Sequence, residues 1–423
     1  LLATSTLATY FPTVRGLILC VGLFTTACIL ADRATAQSAI PMYSQGVAEI
    51  LADVSSDTLM RRVRELCGEV PVVVNDSIAV ITNRYDGTEE KSNELAGDYL
   101  EQKLSQYGLH TESHRFQDRG RNIVAVQKGS LYPDIDYIIC GHYDASHYAY
   151  PGADDNASGS AAVLEAARLL SRHTFEYSIV YILWDAEERG LVGSRFYAES
   201  ARMRGDSILG VINLDMISWD SDDDMRASLE YNLDGGLPLV WTMQSVNNTY
   251  DVGLDLYTRF RSSTPSDNYS FTRFDYPSFL FIEDWSDFNL YYHGVGDTPS
   301  EINLPFFTRI TQVAIGGLAI LAGMTEPLAL QPLAALPDAA LLTPSPHPMR
   351  GLTQIRFSLP RRQHVRLELF DVVGRRVALL ADMECKAGPQ HVPFDASSLQ
   401  RGAYLLRMST ESGAVQRVLL KGE

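Results

Sequence analysis

Cysteine is scarce in this chain, with five in 423 residues at positions 20, 28, 67, 140 and 385. No pair stands in a C-x-x-C arrangement, which argues against a thiolate zinc site. Basic charge is also in deficit: 35 Lys and Arg face 52 Asp and Glu, a net of −17. A nucleic-acid partner needs a basic surface, so none is expected. No G-x-S-x-G occurs, so a serine-hydrolase elbow has no support. The Gly-rich loop at 152–159 lacks G-K-[ST] and carries acidic residues, which excludes a phosphate loop. The apolar run from Leu17 to Ala31 stops at 15 residues, short for a transmembrane helix.

What is present describes an ordinary globular chain, with 46% hydrophobic and 21% charged residues. At this length two domains are expected. Arg15, the apolar run and the small-residue sequence Ala34-Thr35-Ala36 have the layout of a secretory signal peptide over residues 1–36, cleaved after Ala36. The mature chain is then expected to be secreted or at the cell surface, with no stable membrane span. It keeps Cys67, Cys140 and Cys385, an odd and widely spaced set that does not form a disulfide framework. Cys140 lies in an apolar strand pattern and reads as a small core residue.

Residues 326–348 contain six prolines in 23 positions, which forbids a regular helix or a central strand. Charge changes sign there. Residues 343–423 hold 12 Lys and Arg against 7 Asp and Glu, a net of +5, whereas residues 37–342 carry −23. The expected division is a signal peptide at 1–36, a larger unit at 37–325, a Pro-rich linker at 326–342 and a smaller unit at 343–423.

In the larger unit, short apolar runs at 122–127, 137–141, 178–184, 210–215 and 277–283 alternate with helical patterns at 93–108, 156–172, 187–200 and 304–323. Continuous apolar strands with helical crossovers predict an α/β fold, a mixed, mostly parallel twisted sheet with helices on both faces. The smaller unit shows only strand patterns separated by Gly and Pro turns, which predicts an all-β sandwich.

Ligands in such folds collect beyond the carboxyl ends of the strands. Five segments there offer hard or borderline metal ligands: His142, Asp155, the Glu187–Glu188 pair, Asp215 and His293. Singly, each is ordinarily a cap, a turn former or a solvated residue. Together, imidazole and carboxylate suit zinc, with cobalt or manganese as substitutes. Two ions sharing one bridging carboxylate use the whole set and leave an open face for water and substrate. One glutamate of the adjacent pair then binds metal and the other stands back as general base. Asp154 reads as a loop and N-cap residue. His147 and His173 read as surface residues, and the acidic run at 220–224 as a solvated loop in preference to a calcium site.

The ordered segments "GHYD", "PGADDNASGSAAVLEAAR", "WDAEERGLVGSRFYAE", "INLDMI" and "YYHGVGDT" resemble the co-catalytic dizinc aminopeptidase family over roughly residues 45–325. That family includes bacterial leucyl-type aminopeptidases, prostate-type carboxypeptidases and glutaminyl cyclases. The resemblance implies an exported aminopeptidase that hydrolyses N-terminal residues from peptides through a metal-bridging hydroxide. It implies two Zn2+, with His142 and Asp215 on one, Glu188 and His293 on the other, and Asp155 between them. Glu187 would be the base, Asp144 would orient His142, and Tyr292 would steady the tetrahedral intermediate. A cis peptide between Asp155 and Asn156 is also implied. Alternatives on the same fold are a glutaminyl cyclase, a carboxypeptidase or a non-catalytic surface receptor. At "PSDNYSF" the chain departs from the family's Ser-Asp-His, with Asn268 in the last place, which puts the outer substrate pocket in question. Residues 343–423, with "TQIRFSLP", "LELFDVVGRRV" and "LQRGAYLLRM", resemble the sorting domain of type IX secretion substrates, implying export machinery as a partner.

Overall fold

Eight strands form one sheet. In chain order they are β1 His110–Phe116, β2 Gly120–Gln127, β3 Tyr132–His142, β4 Tyr177–Trp184, β5 Ser207–Leu214, β6 Arg226–Tyr231, β7 Asp255–Phe260 and β8 Ser278–Glu283. They lie in the order β1-β2-β4-β3-β5-β8-β6-β7. The four central strands β4, β3, β5 and β8 are parallel to their neighbours in that series. β2 runs antiparallel to both β1 and β4, β6 runs antiparallel to β8, and β7 is parallel to β6. The computed structural model describes residues 43–87, 92–117, 120–232, 234–262, 266–325, 340–341, 349, 351–370, 376–399, 402–410 and 413–421. The signal peptide expected at 1–36 lies outside the described residues, as does the Pro-rich stretch apart from Ala340 and Leu341.

The helices are α1 Gln45–Ala52, α2 Ser56–Leu66, α3 Ser92–Gln106, α4 Gly159–Leu170, α5 Val192–Arg204, α6 Leu237–Thr249, α7 Asn268–Thr272 and α8 Leu304–Leu321. They cover both faces of the sheet, and the strands show why. On β3 and β4, Ile139, Ile179, Tyr181 and Leu183 join a core shared with α1 to α4, α6 and α8. Ile138, Cys140, Val180, Ile182 and Trp184 turn the other way, onto Ala198 and Ala201 of α5 and Phe271 of α7. Side chains alternate across a strand, so a strand buried on both sides must be apolar at every position. Cys140 is a fully buried residue of the second core, as its strand pattern predicted.

α8 is apolar enough to cross a membrane, with a mean hydropathy of 1.5 over 18 residues. Here it is a core helix: Phe306, Phe307, Ile310, Val313, Ile315 and Leu318 are all fully buried. Asn303 caps it by accepting the Phe306 N–H at 3.1 Å. The N-terminal helices belong to the same core, since Leu59, Val63 and Leu66 of α2 are at most 1% exposed.

Residues from Ala340 onward form two antiparallel sheets. One holds Ala340–Leu341, Leu352–Leu359 and Gly388–Asp395, and the other holds Gln363–Phe370, Arg376–Cys385, Gly402–Thr410 and Gly413–Lys421. Ile355, Phe357 and Val392 of the first share a core with Val365, Leu367, Leu406 and Leu419 of the second. That is the expected sandwich. Leu341 is part of this core, so the unit takes in residues assigned from sequence to the linker.

Candidate metal centre

The carboxyl ends of the four central strands converge, and each delivers one part of the site. β3 ends in His142, with Asp144 two residues on. β4 ends at Trp184, and the turn after it carries Glu187 and Glu188. β5 is followed by Asp215, and the loop after β8 reaches His293. Asp155 comes from the kinked segment Ala153–Ser158 that leads into α4. The helical pattern expected from 187 begins only at Val192, which leaves the glutamate pair in a loop.

The central observation is how Asp155 divides its carboxylate. Oδ1 lies 3.3 Å from His142 Nε2, which is itself 3.3 Å from Asp215 Oδ1. Oδ2 lies 3.2 Å from His293 Nε2, which is 2.9 Å from Glu188 Oε2. One carboxylate therefore belongs to two ligand groups, His142/Asp155/Asp215 and Asp155/Glu188/His293, each gathered within 4.8 Å. Glu187 closes a third group with His142 and Glu188. The Asp155–Asn156 peptide is cis, as the resemblance implied.

A second layer holds these groups. Asp144 Oδ1 is 3.4 Å from His142 Nδ1, and its two oxygens accept the N–H groups of Glu187 at 3.1 Å and Glu188 at 3.2 Å. Ser266 donates to Asp215 Oδ2 at 2.6 Å and accepts from Asn213 Nδ2 at 2.7 Å. Arg84 is 1% exposed and spends its guanidinium on the carbonyls of Tyr143, Leu66, Pro151 and Gly152 at 2.7–2.9 Å. It ties the loop bearing His142 and the loop bearing Asp155 to the end of α2. Backbone geometry is strained at the ligands: Ala186, Met216 and His293 have φ of 58°, 53° and 52°. Such left-handed conformations cost non-glycine residues about 1–3 kcal/mol each and persist where the surroundings fix them.

Three features fit the site to a pair of divalent cations. Asp215 Oδ1 and Glu188 Oε1 are buried with no hydrogen-bond donor, on side chains whose other oxygens are occupied. Five carboxylates, Asp144, Asp155, Glu187, Glu188 and Asp215, face only two imidazoles. The charges respond accordingly. Burial pushes the Glu187 carboxyl well above its ordinary range, reinforced by Asp267, Asp215 and Glu188, with His142 opposing. Burial and the Asp155 charge raise Glu188 to about 7. Hydrogen bonds to Asp155 and Glu188 raise His293 to about 10. For His142, burial alone would lower the value, but Asp215, Glu187, Asp144 and Asp155 outweigh it and hold it well above the usual one. Cations would balance this excess of negative charge.

The site reaches the surface at His293, whose side chain is 39% exposed. Tyr292 lies on the His293 ring at 3.9 Å and is itself 45% exposed. Burial and the charges of Asp155, Glu188, Asp215 and Glu187 raise its phenol, so it remains a proton donor.

Other sequence expectations resolve differently. Asp154 is not an N-cap: its Oδ1 accepts from Ser218 N and Oγ at 2.8 Å each, and its Oδ2 from Asn289 at 3.1 Å. The start of α4 is held by Asn156, whose Oδ1 accepts the Gly159 N–H at 2.8 Å. Asn268 is fully buried and donates to Asn232 at 3.0 Å, so the departure from the family pattern lies in the interior and not at the surface. His147 is half-buried among Tyr85, Tyr148 and Tyr150, and His173 is also half-buried. In the acidic run, Asp220 and Asp222 approach Asp287, but Ser221 and Asn303 already donate to Asp287 and Asp220. Ser266 and Arg84 were not foreseen. Only the position of Ser266 in the motif around Asn268 pointed to it.

A mixed α/β sheet whose parallel strand ends converge on two linked carboxylate–histidine groups defines a site able to hold metal ions. The comparisons point the same way. Residues 122–317 match Peptidase family M28, and residues 345–421 match the Secretion system C-terminal sorting domain. The larger unit is thus similar to M28 peptidases and the smaller one to secretion sorting domains. Aminopeptidase YwaD of Bacillus subtilis is 35% identical over 126 residues, covering 29% of this chain and 27% of its own. The Legionella pneumophila LapA aminopeptidase superposes with a TM-score of 0.60 at 21% identity, over 73% of this chain and 78% of its own. A Porphyromonas gingivalis glutaminyl cyclase superposes with a TM-score of 0.52 at 18% identity, over 63% and 98%. These two likenesses are of fold. The chain spans between 20% and 35% of the length of the curated relatives it matches, several of them described as probable zinc metalloproteases.

Proposed function

We propose that the chain is an exported metallo-aminopeptidase that releases N-terminal residues from peptides. The observation that carries this reading is the divided carboxylate of Asp155, with one oxygen in each ligand group. His142 and Asp215 would hold one zinc, Glu188 and His293 the other, and Asp155 both. When bound, the two ions supply Lewis acidity for the scissile carbonyl and acidify the attacking water. The protein groups do the rest. Asp144 keeps the His142 imidazole oriented through Nδ1. Glu187 is buried next to His142 with no role as a ligand in this scheme. Its carboxylate takes the proton from water and passes it to the departing amide nitrogen. The Tyr292 hydroxyl donates to the carbonyl oxygen as charge develops on it.

The sorting-domain match supports delivery to the cell exterior through a secretion system that reads residues from Ala340 onward. The test is zinc content together with turnover of aminoacyl-nitroanilides. The reading requires about two zinc ions per chain and release of nitroaniline. Cyclisation of an N-terminal glutamine, or trimming of N-blocked peptides from the carboxyl end, would overturn the aminopeptidase assignment and leave the metal centre standing.

A further inference from the structure

The segment that carries Asp155 is held by the turn that carries His293. Asp297 stands four residues beyond His293 and is 2% exposed. One of its carboxylate oxygens accepts the N–H of Asp154 at 2.9 Å, and the other accepts the N–H of Asp155 at 3.1 Å. Its main-chain carbonyl accepts the N–H of Ala153 at 3.2 Å. Three consecutive backbone donors are thus satisfied by one residue. The turn closes on itself through Asp297 N–H to the Gly294 carbonyl at 3.3 Å. A second tie runs from Asn289, on the same loop, to Asp154 Oδ2 at 3.1 Å.

The two adjacent N–H groups go to separate oxygens of Asp297, a pair of acceptors that a carboxylate offers and a carboxamide does not. A ligand group needs its donor atoms held within about 0.5 Å. The direction of the Asp155 carboxylate follows from the backbone at 154–155, which is where Asp297 grips. We infer that Asp297 is a positioning residue that sets the bridging carboxylate of Asp155 from the same turn that presents His293, so that the two are placed together. Disturbing it shifts the one residue common to both ligand groups. This rests on the two-ion reading above.

The test is a chelator-competition titration of zinc into the metal-free chain, for the unaltered protein, Asp297→Asn, Asp297→Ser and Glu188→Gln. Asp297→Asn turns one acceptor into an NH2 group facing a backbone N–H, and Asp297→Ser removes the fork. Both variants are expected to weaken the two binding steps together, by about 10- to 100-fold, the range for residues that orient metal ligands. Glu188→Gln should weaken one step far more than the other. Unaltered affinity at either step in a folded Asp297 variant overturns the inference. So does failure of both variants to fold without metal, judged by circular dichroism, because Asp297 would then serve the fold rather than the ligands. If the unaltered protein binds fewer than two ions, it is the two-ion reading that fails.

Discussion

Replacing Glu187 by Gln removes a proton acceptor and little else. The side chain keeps its size in a position 8% exposed, and the bond from its backbone N–H to Asp144 Oδ1 at 3.1 Å does not involve the carboxyl. The four residues proposed to hold the ions with Asp155 are untouched. A positioned general base contributes about 10²- to 10⁴-fold, so kcat should fall by that factor, or about 3–5 kcal/mol of barrier. KM should change little, because binding of the ground state does not use the proton acceptor. Glu188→Gln is the matched control. Glu188 Oε2 sits 2.9 Å from His293 Nε2 inside a ligand group, so this variant should lose zinc. Steady-state nitroaniline release, paired with zinc measured by plasma mass spectrometry on the same samples, separates the two. A Glu187→Gln enzyme with kcat within tenfold of the unaltered protein would refute the assignment of the base. Loss of zinc from Glu187→Gln and its retention in Glu188→Gln would show that the roles are exchanged.

Two further outcomes follow from the architecture. Arg84→Met removes a donor from four carbonyls; Gly152 O keeps the Ala157 N–H at 3.0 Å and Pro151 O keeps Cys67 Sγ at 3.4 Å, so the Tyr143 and Leu66 carbonyls carry the loss. At roughly 1–3 kcal/mol for an unsatisfied buried group, stability should fall by about 2–6 kcal/mol in urea unfolding; a loss below about 1 kcal/mol would mean that the clamp is not a structural tie. Deleting residues 340–423 should leave peptidase activity intact and abolish appearance at the cell surface, because the sandwich has a core of its own; loss of activity in the purified truncated protein would assign the sandwich a part in catalysis.

Sequence and structure agree where burial on both faces left a mark. β2, β3, β4, β5 and β8 each contain a continuous apolar run and were legible, although the first half of β3 is polar and partly exposed. β1, β6 and β7 were not. "HTESHRF" and "DLYTRF" are the sheet's edge strands, where one side meets solvent and charge is tolerated or favoured. "RASLEY" is mostly buried, and its Glu230 obscures a core position, where Trp285 Nε1 at 2.7 Å and Arg261 Nε at 2.9 Å engage the carboxylate. The five expected ligands and Glu187 were picked out as one set because strand-end carboxylates and imidazoles in that fixed order suit a pair of cations, and the structure brings them side by side; their roles stand as proposed above. The supports were not. Asp154 looked like a cap because an acidic residue before a helix usually is one, yet it ties Ser218 to Asn289. Arg84 bonds to four backbone carbonyls, besides Cys67 Sγ at 3.8 Å, and no residue-type pattern encodes such partners. Asp297 binds residues 142 and 143 positions away, a separation that only folding closes.

Everything proposed for the site depends on one carboxylate serving two ions. A crystal of the zinc-loaded protein, measured across the zinc absorption edge, tests this most directly. Two anomalous peaks are expected about 3.5–4 Å apart, one beside His142 and Asp215, one beside Glu188 and His293, with an Asp155 oxygen on each. A single peak, or two peaks that do not share Asp155, would contradict it.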